Sequence, residues 1–381
     1  MAEKEITYLG YYDTPQSQVA HFVPPAGSLK MRYVAEAMAS SGRSICIWSA
    51  ARPISDHSRF FKSESVRVSH QISAYFFPFF YVGNRLLRKF CSMVQMACLL
   101  FLILRKIGKG DVLVVYHSLA YASIVFLTKA IKRYHLILEV EEIYDDVKSV
   151  HPINVWLEKK LFSSADAYIF PSELIDKKVN VHRKPSIIIY GNYHIHPTQN
   201  KKWSDGKVHV IYSGTFNQRK GGVDSAIRAG EFLDANYHIH ITGWGTEAEI
   251  EGVKETVKRV SEKTTCMITY DGYQDDQSFI PYLQQFNIGL STQNPDDKLS
   301  SSCFPSKILL YMCNGLTVLS SKAPAVLNSQ IASDVFFYER QTPIDIATGI
   351  KRIPIDVDSR KVIEKLDVNC KHQMKRFLQS L

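Results

Sequence analysis

The sequence predicts an α/β protein built from two Rossmann-like domains facing each other across a cleft. Three observations carry this. Short, nearly continuous apolar runs alternate with helical stretches, as parallel strands covered on both faces do. The alternation occurs twice, in the first and in the second half of the 381 residues, a length that suits two domains of about 150–200 residues each. Between the halves lies His196 to Lys207 (HPTQNKKWSDGK), polar and turn-rich as a linker is. The expected limits are 1–197 for the first domain, 198–207 for the linker and 208–358 for the second domain. A basic helical tail over 359–381 is expected to cross back to the first domain.

In chain order, a helix is expected over Leu29–Ser41 and a strand over Ser44–Ser49 (SICIWS). Arg85–Lys106 reads as a helix, followed by strands Asp111–Tyr116 (DVLVVY) and Leu136–Val140 (LILEV). Val155–Ser163 is helical, and Ala167–Phe170 (AYIF) and Ser186–Tyr190 (SIIIY) close the first series. The second series runs Val208–Tyr212, a helix from Val223, then His238–Thr242, Cys266–Tyr270, Ile288–Ser291 and Leu316–Ser320. In sheets of this kind ligands bind at the carboxyl ends of the strands.

Composition narrows the function classes. Apolar residues make up 45% and charged residues 22%, which excludes a disordered chain. A net charge of +9 favours anionic partners without choosing among nucleotides, phospholipid and nucleic acid. No nucleic-acid module is recognisable and the basic residues are spread along the chain. The seven cysteines are scattered without a CxxC, so neither a disulfide framework nor a zinc site is expected, and a cytoplasmic setting is. The N-terminus lacks the apolar core of a signal peptide. Phe90–Leu104 is apolar but shorter than the roughly 20 residues of a membrane span, contains Gln95, and is soon followed by a strand. It reads as a buried or partly exposed helix of a soluble fold. Just before it, Ser73–Phe90 (SAYFFPFFYVGNRLLRKF) sets aromatics beside Arg85, Arg88 and Lys89, a composition suited either to core packing or to a peripheral position at the inner face of an anionic membrane.

Three stretches can carry chemistry. In VIYSGTFNQRKGG, a strand ends at Ser213-Gly214 and Lys220-Gly221-Gly222 lead into a helix. Glycines let an anion approach the backbone and Lys220 adds a mobile charge, although a plain turn with solvated Arg219 and Lys220 has the same pattern. In ITGWGTEAEI, Gly243-x-Gly245 follows a strand and Ala248 takes the third position. The first-strand location and the later acidic residue of a dinucleotide site are missing, so a hydride cofactor is not expected. In SSSCFPSKILLYMCNGLTVLSS, Pro305 suits a first helical position. Three serines, Ser306 and Lys307 then crowd the helix start with donors, more than one cap needs, and suggest an anion seat.

Taken together, the strand–SGT–x4–KG loop, the Gly-x-Gly turn, YDGY before a helix, and FPSKILLYMCNGLTVLSS resemble, in order and separation, the GT-B glycosyltransferases of family 4. The resemblance covers about residues 165–335 and thins over the first 160. It implies a nucleotide-sugar donor, a UDP-sugar favoured, with its pyrophosphate held in the second domain. Transfer would proceed with retention, without metal or further cofactor, to a glycan or lipid-linked glycan in cell-surface polysaccharide assembly. Carried over by position, Lys220, Ser306 and Lys307 would contact the phosphates, with Gly214, Thr215, Arg219 and Gly243 on the donor and Tyr273 at the base. His117 would reach the transferred sugar, and Gly27 and Lys30 would lie on the acceptor side. Two features depart from the family. Thr215 replaces its arginine, and its paired glutamates would fall at Ser302 and Leu310.

Other carboxylates are weaker candidates. Asp145-Asp146, Asp275-Asp276 and Asp296-Asp297 are adjacent pairs whose side chains diverge, and in Asp356-Val357-Asp358 the last residue suits a helix cap. Among Glu139, Glu141 and Glu142, Glu142 is the acceptor-side candidate for orienting a hydroxyl, with solvated charge the plainer reading. Two rival functions remain open: a sugar-nucleotide epimerase of similar fold, which needs cleft carboxylates, and a non-catalytic subunit of a glycan-assembly complex, suggested by the missing glutamates.

Overall fold

In the computed structural model, the described residues are 5–147, 150–216, 222–275, 278–295, 302–355 and 357–381. Arg219, Lys220, Gly221, Ser300, Ser301, Asp276, Asp296, Asp297 and Asp356, all considered above, lie outside them. The chain forms two compact units: Met1–Gly191 with Val368–Leu381, and Asn192–Asp367. The last helix, Arg360–Gln379, begins within the second unit and ends within the first.

The first unit is organised by an eight-stranded sheet. Its order is Ser186–Ile188, Ala167–Phe170, His135–Glu139, Val112–Tyr116, Ile6–Gly10, Ile45–Ser49, Ile72–Phe76 and Glu64–Arg67. All neighbours are parallel except the last pair. The chain starts in the middle, at Ile6–Gly10, and winds outward in both directions. The strand order therefore reverses beside Gly10 and Tyr116, where such sheets open a crevice. The fully buried run ITYLG of this central strand was not foreseen, because five residues with Thr and Tyr lack the Val/Ile signature of their neighbours.

The aromatic stretch 73–90 proves to be three things. Ile72–Phe76 is a sheet strand, Phe79–Tyr81 pairs antiparallel with Arg59–Phe61, and a helix begins at Arg85, capped by the Asn84 side chain accepting from Leu86 and Leu87 N–H. That helix spans Arg85–Lys106 and buries only Gln95, Leu99 and Ile103. By length and composition it could cross a membrane, the one such helix among the described residues. It is thus far more exposed than a core helix.

The second unit holds six parallel strands in the order Met267–Gly272, Tyr237–Trp244, Val208–Thr215, Ile288–Ser291, Thr317–Ser320 and Phe336–Phe337. Again the first strand in sequence is central, and the order reverses between Val208–Thr215 and Ile288–Ser291. Val210, Tyr212, Ile239, Ile241, Ile288 and Leu290 form the buried middle of this sheet. Helix Ser306–Cys313 buries Ile308, Leu309, Tyr311, Met312 and Cys313. Tyr311 fixes it in place: its ring lies where a Cβ on Gly289 would stand, 2.3 Å away, and its hydroxyl accepts from Ser213 N–H at 2.9 Å.

Candidate functional site

The carboxyl edge of the second unit's sheet is shaped by glycine. Gly243 has φ 148°, and a Cβ there would fall 1.8 Å from the Gly214 carbonyl oxygen, so the ends of the two central strands touch backbone to backbone. Gly222, at φ 118°, starts helix Val223–Ala229 while its carbonyl accepts from Thr292 Oγ1 at 2.8 Å. Gly243 therefore serves packing at this edge. The helix following it, Glu247–Ser261, is closed by its own capping box, in which Thr246 and Glu249 satisfy each other's backbone N–H groups.

Helix Ser306–Cys313 differs. Pro305 stands at its cap, no side chain caps it, and exposed Ser306 opens it. Its free N–H groups carry partial positive charge. Lys307 in the first turn folds inward, with Nζ 4.2 Å above the Tyr212 ring and 3.1 Å from where Gly214 would carry a Cβ. Burial pulls its ammonium down to about 8. No carboxylate among the described residues pairs with it. A desolvated, unpaired cation is costly unless an anion meets it, and this one sits where the strand order reverses. Beside it, Thr215 ends its strand half-buried, and its carbonyl accepts from Tyr212 Oη at 3.4 Å. Tyr273 lies just beyond the next strand but one, 65% exposed and free to stack on a flat ligand. Ser302 and Leu310, where glutamates were looked for, are half-buried.

In the first unit the reversal point gathers ionisable groups. Gly27, in the first turn of helix Pro25–Ala39, has the Tyr116 hydroxyl 3.2 Å from its would-be Cβ. Lys30 is buried and ion-paired with Glu141. Glu139 is fully buried and hydrogen-bonded to the Tyr8 hydroxyl, and burial together with the Glu141 charge pushes its carboxyl upward, so that it holds its proton. The expectation of solvated charge fails for this glutamate: ending a central strand, it is walled by both neighbours. Glu142 is half-buried.

His117 needs a correction. Expected to display its ring toward a sugar, it is 2% exposed and packed between Tyr144 and Phe162, at 5.0 and 5.1 Å. Its Nε2 is 3.3 Å from Glu158 Oε1, yet neither ring nitrogen has a well-aligned hydrogen bond. Burial lowers it to about 4, so it is neutral near pH 7. Asp358 accepts from Arg360 N–H at 3.1 Å and pairs with that guanidinium, as a cap does.

Neither family models nor curated proteins match this chain. Solved structures do. An apo structure of OtsA aligns with a TM-score of 0.66 at 10% identity, covering 99% of each chain. Anabaena HepE in complex with UDP-glucose gives 0.64 at 12%, over 99% of this chain and 100% of that one. An E. coli trehalose-6-phosphate protein bound with UDP-2-fluoro glucose gives 0.63 at 12%, over 99% and 98%.

The fold is GT-B.

At such low identity the likeness carries the architecture and no more. What the GT-B arrangement adds is the meaning of place. Lys307, Gly214 and the open helix start share the carboxyl edge of the second sheet, and Lys30, Glu139 and Glu141 that of the first. Sequence reasoning named Lys307 and Lys30, weighed Glu139 only within a cluster read as solvated charge, and missed Tyr116. The run LILEV signalled that a glutamate ends an otherwise apolar strand, and its neighbours' burial was the hidden part.

Proposed function

We propose that this GT-B protein is a retaining, metal-independent glycosyltransferase that takes a sugar from a nucleotide diphosphate, a UDP-sugar favoured. The observation that carries the reading is the desolvated Lys307, without a carboxylate partner among the described residues, at the open start of helix Ser306–Cys313. In the transfer, the bond from the anomeric carbon to the diphosphate oxygen breaks and its electron pair stays with the diphosphate. The acceptor hydroxyl oxygen bonds to that carbon and passes its proton to an oxygen of the departing diphosphate. Fixed positive groups at the departing oxygens lower the barrier, and losing one such donor typically costs about 10²–10³ in rate. Lys307 and the helix N–H groups would meet the phosphates, with Lys220 and Arg219 adding charge from the adjoining loop and exposed Tyr273 facing the base. Solved GT-B structures of this architecture hold UDP-glucose, in HepE, and UDP with glucose, also in HepE, which supports the UDP preference.

The acceptor in this reading is a glycan or lipid-linked glycan, recognised through the first unit, where Gly27, Lys30 and Glu142 lie near one sheet edge. The protein works in the cytoplasm at the inner membrane face. Support for that comes from the helix Arg85–Lys106, whose Leu86, Leu87, Phe90, Met93 and Phe101 are all more than half exposed and whose ends carry Arg85, Arg88, Lys89, Arg105 and Lys106.

Calorimetry with UDP, GDP, dTDP and ADP, followed by nucleotide sugars, tests the donor. One diphosphate should bind well above the others, and its release from the matching sugar should require acceptor. Diphosphate release without acceptor dependence would point to the epimerase. Folded protein that binds none would be the non-catalytic subunit.

A further inference from the structure

At the opposite, amino-terminal end of the second unit's sheet, three histidines converge. His209 and His238 face each other in register on neighbouring strands, and His240 follows on the same face. All three are buried, and one ring nitrogen from each lies within 4.8 Å of the others. The outer nitrogens of two rings are engaged by carboxylates: His209 Nε2 with Asp205 Oδ1 at 3.0 Å, and His240 Nδ1 with Asp271 Oδ2 at 2.6 Å. Asp271 Oδ2 also accepts from the Tyr282 hydroxyl.

This fixes the protons. Each outer nitrogen must carry hydrogen to face a carboxylate, so His209 Nδ1 and His240 Nε2, 3.0 Å apart, present lone pairs to each other. Something positive belongs between them. A shared proton would serve two rings, but here a third is pressed against them, with His238 and His240 ring centres 3.6 Å apart. Neutral imidazoles whose far N–H groups are held by carboxylates form the arrangement that orients histidines on a transition-metal ion.

We propose that His209, His238 and His240 bind a divalent transition-metal ion, of which zinc is the natural probe, as a structural site remote from the Gly214–Lys307 edge. His238 joins with its Nδ1 while Thr269 Oγ1, 3.1 Å away, takes its Nε2. A tetrahedral zinc ion keeps its nitrogens about 3.3 Å apart, so side-chain movement on the order of 1 Å completes the set. Trp203 stacks at 5.0 Å and 7° on His240, and Phe286 packs edge-on at 4.8 Å, closing the site against bulk water. The site was invisible to cysteine spacing because it uses none. It stands independently of the donor reading.

The test uses the full chain, tag removed and stripped with EDTA. One zinc per chain by elemental analysis, zinc-dependent thermal stabilisation and the visible absorption of tetrahedral Co2+ are expected. His238→Asn should lose all three. Asp205→Asn, at an exposed carboxylate outside the core, should keep native circular dichroism and UDP affinity while weakening zinc about 10–100-fold. No stoichiometric zinc at saturation, or equal zinc affinity in wild type and Asp205→Asn, would overturn the proposal and leave a proton as the shared cation.

Discussion

Replacing Lys307 by Met should make the nucleotide-free protein more stable and its nucleotide complex weaker. Burial moves the ammonium from an ordinary 10.5 to about 8, so holding the charge inside costs about 3 kcal/mol at about 1.4 kcal/mol per tenfold. The Tyr212 ring face, 4.2 Å away, offsets about 0.5–2 kcal/mol of that. Methionine has similar length and no charge, so the variant should gain about 1–3 kcal/mol near pH 7, a rise of several degrees in Tm for a domain of this size. The gap also narrows with rising pH. Because the folded value is depressed, the unfolded state binds more protons between about 8 and 10.5, and wild-type stability should climb across that window relative to the variant. Against this, UDP loses a charged partner worth about 1.5–3 kcal/mol, or about 10–150-fold in Kd. Differential scanning fluorimetry from pH 6 to 11 and calorimetry with UDP read both arms. A variant that melts lower and binds UDP as wild type does would show Lys307 to be a structural residue and remove the basis of the donor site.

Further outcomes follow from single contacts. Gly243→Ala drives a Cβ into the Gly214 carbonyl at a φ that alanine disfavours, and should cost at least about 1–3 kcal/mol in urea unfolding; wild-type stability would contradict the backbone contact. Glu139→Gln keeps the shape of a carboxyl that is already protonated. Since the folded value is raised, wild-type stability falls as pH rises from the usual carboxylate range toward neutral, and the glutamine variant should lack that fall. Parallel melting curves for the two proteins between pH 4 and 8 would mean that Glu139 is ionised in place. Arg85, Arg88 and Lys89 changed together to Gln should weaken flotation with anionic vesicles, by about 1 kcal/mol for each charge that lies at the surface; unchanged flotation rules out their role.

Local signals were enough for much of this chain. Uninterrupted apolar runs gave Ala167–Phe170 and Ile288–Ser291 to the residue, and the apolar stretch flanked by basic residues marked the helix Arg85–Lys106. These features depend on neighbours a few positions away, and the linear pattern holds them. The order of the glycine-rich turns and the Ser-Pro-Lys helix start, with Lys307 in it, was legible for the same reason.

What the tertiary structure alone decided concerns burial and company. Whether Glu139 ends its strand in water or beneath Tyr8, and whether Lys307 waves outward or turns over Tyr212, depends on which segments cover them, and those come from far along the chain. The helix Arg85–Lys106 reads in sequence as buried or partly exposed, and only the fold shows it largely bare. His209 lies about thirty residues before His238 and His240 in the chain and becomes their neighbour only because parallel strands, joined by a helix, must lie in register. Sequence periodicity dictates which face a residue takes; only packing sets the dielectric around it, and with that its charge.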